Sequence, residues 1–133
     1  MHNPPPRAVL DRIPRLYANE EAQTPIADII IHLHFFVAGC DWWIAEHDGD
    51  DLFFGFVNLN HDICAEWGYI SYAELRSVGQ SGLTAPLIDA TTGQQIGQLP
   101  LFVEWDEHWT PKVFREVQWR KSAASRPLDE AQP

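Results

Sequence analysis

The stretch "DWWIAEHDGDDLFFGFV", Asp41 to Val57, decides the fold. Its two apolar and aromatic runs have strand composition, and the Asp48-Gly49 pair between them is a strong short-range hairpin signal. "WWIAEH" and "LFFGFVNL" therefore read as two antiparallel strands. Gly55 inside the second strand points to a bulge or a close backbone approach. Trp42 and Trp43 are consecutive, so they face opposite sides of their strand. The same stretch holds five acids, Asp41, Glu46, Asp48, Asp50 and Asp51, and no Lys or Arg. Turn chemistry accounts for Asp48 and Gly49. It leaves Asp41, Asp50 and Asp51 without a counter-charge.

Working outward, "ADIIIHLHFFV" (27–37) is β-branched and aromatic, which predicts a strand. Regular alternation puts Ile29, Ile31, Leu33 and Phe35 on one face and Ile30, His32, His34 and Phe36 on the other. Both faces are largely apolar, so a central, covered strand is expected. Downstream, "EWGYIS" predicts a fourth strand. Ser71 followed by Glu74 three residues later is a capping box, which predicts a short helix over Tyr72–Val78. Residues 79–100 are rich in turn chemistry and read as loop. "QLPLFVEWDEHW" reads in part as a fifth strand. "TPKVFREVQW" reads as a closing helix, with Thr110 as N-cap and Pro111 at its first position. Short turns between consecutive strands define a small single α+β domain. It has a mostly antiparallel sheet of about four to five strands and one or two short helices. That domain spans 13–121. The three prolines near the start make 1–12 a flexible arm, and 122–133 reads as a disordered tail.

A length of 133 residues suits one domain that buries its own core without metal or disulfide staples. Two cysteines, Cys40 and Cys64, make no disulfide framework and are expected as free thiols. No basic-then-apolar leader opens the chain, and "IIIHLHFFVAGC" is too short to span a bilayer. A soluble, cytoplasmic protein is expected. Formal net charge is −10, and from Leu16 to Leu75 eleven acids face no Lys or Arg. Such a field repels nucleic acid and anionic membrane and attracts basic surfaces. The same charge also keeps a protein soluble.

Chemistry-bearing motifs are few. His32 and His34, two apart on one strand, form a pair that can converge on a metal ion, or they can pack beside aromatics. Neither cysteine sits in a nucleophile signature. Carboxylates on an exposed turn are poorly placed to hold a shifted pKa for acid–base work. No GxGxxG, P-loop or GxSxG occurs, so no cofactor is expected.

Four blocks, "IPRLYANEE" (13–21), "WWIAEHDGDDLFFGFV" (42–57), "WGYISYAEL" (67–75) and "WTPKVFREV" (109–117), resemble in order and spacing a bacterial family of unknown function common on plasmids and phages. The resemblance spans roughly residues 13–118. Two departures make this chain more acidic than the family pattern. His34 stands where the pattern has Lys, and "GLTAPLIDATTG" replaces an Ile-Glu-Arg-Asp block. What the resemblance implies is a mobile-element setting, in which small acidic proteins disarm host nucleases, restriction systems and CRISPR complexes. Together with the charge, this sets the functional expectation of a non-catalytic inhibitor. It would occupy the basic DNA or RNA groove of a host protein and bind no nucleic acid itself. Asp41, Trp43, Glu46, Asp48, Asp50 and Asp51 are the expected partner-binding residues, with the acids pairing to Lys or Arg and Trp43 as anchor. The alternatives are a metal-binding enzyme or sensor built on His32 and His34, and an assembly module dimerising through a sheet edge.

Overall fold

The computed structural model describes residues 1–78 and 84–120; the expected tail at 122–133 lies outside them. In chain order the elements are helices α1 (Arg7–Leu10) and α2 (Ala18–Glu21), strands β1 (Ile30–Ile31), β2 (Leu33–Val37), β3 (Cys40–His47), β4 (Leu52–Leu59) and β5 (Glu66–Ser71), helix α3 (Tyr72–Ser77), and strands β6 (Thr84–Ile88), β7 (Gln95–Pro100), β8 (Glu104–Trp105) and β9 (Lys112–Val113). The architecture is a small α+β domain. Its main sheet is antiparallel in the order β5-β4-β3-β2-β8, flanked by the two-stranded pairs β1-β9 and β6-β7. Among the described residues, no helix is long and apolar enough to cross a membrane.

The β3–β4 hairpin forms where the Asp-Gly pair puts it. Gly49 takes a φ of +88°, open to glycine at no steric cost. Asp48 Oδ1 accepts the N–H groups of Asp50 at 2.8 Å and Leu52 at 3.0 Å, tying the turn internally. The bulge foreshadowed by Gly55 lies across the ladder from it, where the pairing slips between Ile44 and Glu46. A Cβ on Gly55 would overlap the Trp43 carbonyl oxygen, so only glycine lets the strands close there.

Two cores lie on opposite faces of the sheet, but the 29–36 run is not covered on both sides as expected: Ile30 is 43% exposed, and His32, His34 and Phe36 are half-buried. One face buries Leu33, Phe35, Val37, Ile44, Phe53 and Ile70 under Leu10, Ile13, Tyr72, Leu75 and Val103. The other buries Trp43, Ala45 and Phe56 under Ile29, Ile31 and Val117, with Phe114 and Trp119 packed alongside. Ile29 and Ile31 thus do not share a face with Leu33 and Phe35. The chain changes sides at His32, between β1 and β2, because β1 leaves the main sheet to pair with β9. Each of the four isoleucine, leucine and phenylalanine side chains is buried all the same.

Three further expectations are corrected. Residues 1–12 are not a free arm: α1 buries Leu10 in the first core, Met1 and Val9 pack against it, and Asn3 Nδ2 donates to the Trp105 carbonyl at 2.9 Å. The three prolines at 4–6 lead into α1, whose N-cap is Pro6, rather than prevent order there. The closing helix at 110–119 does not form. Lys112 and Val113 pair with Ile31 and Ile30, Phe114 N–H donates to the Ile29 carbonyl at 2.8 Å, and a 3₁₀ turn at Phe114–Glu116 follows. Burial of Phe114, Val117 and Trp119 against the second face outweighs the local Thr-Pro start signal. Within the segment read as loop, β6 and β7 form a hairpin around Gly93, whose φ is +74°. Residues 79–83 lie outside the described residues.

Candidate functional site

The six residues expected to meet a partner do not form one surface. Trp43 is 4% exposed and belongs to the second core, stacked on the His34 ring with centroids 5.3 Å apart. Its half-buried neighbour Trp42 packs against the opposite core. Asp41 is 7% exposed, and its Oδ1 lies 2.6 Å from His34 Nε2. Glu46 is 3% exposed. Asp51 accepts the Ser71 hydroxyl at 2.7 Å and the Ala73 N–H at 2.6 Å, so it reinforces the Ser71 cap of α3. Ser71 Oγ in turn accepts the Glu74 N–H at 3.2 Å, as the capping box requires. Of the six, only Asp48 and Asp50 are exposed, and Asp48 is engaged by the turn. Backbone N–H donation from Asp50, with further donation from Leu52, holds the Asp48 carboxyl below its ordinary value. A cation does reach the tip through space: Arg7 Nη2 donates to the Gly49 carbonyl at 2.9 Å.

Nor do His32 and His34 form a metal pair. Both ring nitrogens of His34 are used, Nε2 by Asp41 and Nδ1 by Asp106 Oδ2 at 2.9 Å. A neutral imidazole has one N–H, so donation to both carboxylates requires the doubly protonated ring. The cluster sits in a cleft with Trp43 and Trp109, and the Lys112 ammonium lies 4.4 Å from the Trp109 ring centre. His32 opens instead on a groove with Val9, Arg12 and Trp105, where burial pushes its pKa down. Among the described residues, no group of three His, Cys, Asp or Glu is placed to hold a metal ion. Cys40 and Cys64 form no disulfide; Cys40 is half-buried and Cys64 is exposed.

A different set of residues converges on Glu46. The bulge at Ala45 turns Glu46 toward α2, where its carboxylate accepts three N–H groups: Tyr17 at 2.8 Å, Asn19 at 3.0 Å and Asn19 Nδ2 at 2.8 Å. This caps the start of a helix whose N-cap, Tyr17, has no capping side chain and sits in the left-handed region at φ 69°. An aromatic residue rarely adopts that conformation, and the Glu46 hydrogen bonds hold it there. Above Glu46 lies an open cavity of about 260 Å³. Tyr17, Phe54 and Tyr69 wall it, Glu20 stands at its rim, and no described Lys or Arg lines it. Tyr17 and Tyr69 are 49% and 54% exposed, unusual for two large rings side by side. A hydrogen bond with Tyr17, then partial desolvation and the charges of Glu20 and Glu46, raise the Tyr69 phenol above its ordinary value. Arg15, whose charge reaches Glu46, is paired with Glu21. No chemical motif singled out Tyr17, Glu20 or Tyr69, although two of the resembling blocks contain them, because only the tertiary fold joins the segment of Tyr17 and Glu20 to that of Tyr69.

Compared with protein-family models, with characterised proteins and with solved structures, the chain gives no match.

Proposed function

We propose that the protein is an acidic binding protein of a mobile genetic element. It docks on the basic, nucleic-acid-binding surface of a host defence complex in the cytoplasm and competes there with DNA or RNA. The supporting observation is where the acids lie. The β3–β4 turn, α2 and the start of α3 meet at one end of the sheet, joined through Glu46 and Asp51. Asp48, Asp50, Glu20, Glu21 and Glu74 are exposed there. Arg7 and Arg15 offset part of this charge, the first at Gly49 and the second at Glu21. The remainder is a local negative field on a chain of net charge −10, and such a field steers a basic partner and rejects nucleic acid. The four sequence blocks that resemble a plasmid- and phage-borne family supply the setting.

The test is retention of host proteins by the immobilised protein at low and moderate salt, with added DNA as competitor. The reading expects nucleic-acid-binding proteins that elute with salt and are displaced by DNA. A retained set indifferent to both salt and DNA would overturn it.

A further inference from the structure

We propose that the cavity between Tyr17, Phe54 and Tyr69 is a receptor for a single arginine side chain presented by a basic protein partner. This rests on the reading of the protein as a ligand for basic surfaces and names the contact it makes.

Size sets the first limit. At about 260 Å³ the cavity falls below the roughly 300–1,000 Å³ of sites that enclose drug-sized ligands, which suits one side chain. Its walls set the second. Aromatic rings offer negative faces to a cation, and two of them, Tyr17 and Tyr69, stay about half in solvent while hydrogen-bonded to each other. Their placement is built into the backbone. Tyr17 is held in its left-handed conformation by the buried Glu46 carboxylate, and Tyr69 is fixed by the β4–β5 ladder opposite Phe54. Charge sets the third. Glu20 and Glu46 line the cavity and make its interior negative, no described Lys or Arg lines it, and Arg15, whose charge reaches Glu46, is paired with Glu21. The phenol of Tyr69 is raised first by its hydrogen bond with Tyr17, and the charges of Glu20 and Glu46 add to this.

Guanidinium fits these walls better than ammonium. It is planar, so it stacks on tyrosine and phenylalanine faces, and it is more weakly hydrated, so entering the cavity costs it less. It also donates two parallel N–H groups to one carboxylate, a role open to exposed Glu20. Glu46 already accepts three hydrogen bonds and acts through its field.

The test is a titration of the full chain, followed by amide chemical shifts, with N-acetyl-arginine amide, its lysine counterpart and the neutral, isosteric citrulline counterpart. Saturable shifts at Tyr17, Asn19, Thr24 and Tyr69 are expected with arginine, weaker ones with lysine and none with citrulline. Tyr69→Ala should abolish the arginine response, Tyr69→Phe should keep it, and Glu20→Gln should weaken it about fivefold. Both positions are exposed, and unchanged circular dichroism confirms that the variants fold. Equal shifts with citrulline, unsaturable shifts spread over the acidic end, or wild-type affinity in both Tyr69→Ala and Glu20→Gln would overturn the proposal. Salt-sensitive retention of host proteins that persists in Tyr69→Ala would remove the cavity and leave the proposed function standing. Arginine binding without any such retention would do the reverse.

Discussion

Glu46 shows how one residue can look functional in sequence and be structural in space, then return to function indirectly. Its carboxylate is acidic, central and close to the hairpin, yet it is buried and accepts three N–H groups of the α2 start. Replacing it with Gln turns one acceptor into a donor facing donors. Charge-assisted bonds of this kind contribute about 1.5–3 kcal/mol each, so Glu46→Gln should destabilise by about 2 kcal/mol. Urea unfolding reads this as a lower midpoint at unchanged slope. Gly55 is the steric counterpart. Its missing Cβ leaves room for the Trp43 carbonyl opposite the bulge. Gly55→Ala forces two backbones apart, and a cost of about 3 kcal/mol is expected, at the upper end of ordinary overpacking. A midpoint close to wild type would mean that the bulge relaxes. Of these two residues, the sequence exposed the role of Gly55, because a glycine inside an aromatic strand has few explanations. It hid the role of Glu46, because its partners lie in α2.

At the scale of elements, the hairpin acids divide by what they hold. Asp51 ties the end of β5 to the start of α3 through the Ser71 hydroxyl and the Ala73 N–H. Loss of a helix cap costs about 1 kcal/mol, and Asp51→Asn should show that loss in thermal or urea unfolding. Asp50 has no such duty, its own N–H donating into the Asp48 turn, so Asp50→Asn should leave stability within about 0.5 kcal/mol of wild type. If both variants unfold alike, Asp51 is not a cap in solution. The elements themselves separate in the same way. The β3–β4 hairpin, β5 and α3 carry their own signals, namely Asp-Gly, alternating aromatics and the Ser71–Glu74 box. The segment at 110–119 carried a helix-start signal, but its apolar residues are needed against Ile29 and Phe56, and pairing with β1 prevailed.

For the whole molecule, charge and burial combine into a pH profile. Burial lowers the folded-state pKa of His32 from its ordinary 6.5. Between that value and the lower folded one, the unfolded chain binds more protons, so stability falls as pH drops through this window. At more acid pH the exposed carboxylates add to the loss. Glu21, lowered by its hydrogen bond and charge contact with Arg15, and Asp48, lowered by the turn N–H groups, stabilise the fold above the ordinary carboxylate range and cease to as they protonate. On the alkaline side, Tyr72 is raised by burial, and its contribution fades as pH climbs past 10, where the unfolded phenol ionises first. A plateau of melting temperature near neutral pH is expected, with an acid shoulder beginning near pH 6.5. His32→Asn should flatten that shoulder; an identical shoulder in the variant would assign it to another group.

Local chemistry determined the hairpin, the following strand, the capped helix and the acidic balance, because each depends on neighbours in sequence. Only the tertiary structure decided where the charges act. Two one-residue slips, at His32 and at Ala45, reassign side chains between faces, and no local pattern reveals them. The slip at His32 carries the chain from one core to the other and leaves the two histidines in separate surroundings. The slip at Ala45 turns Glu46 onto α2 and brings Tyr17 beside Tyr69. A strand's side chains alternate with a period of two, so one extra residue reverses every assignment beyond it. That is why the expected binding residues are largely interior, and why the cavity proposed for an arginine was invisible until the strands were paired.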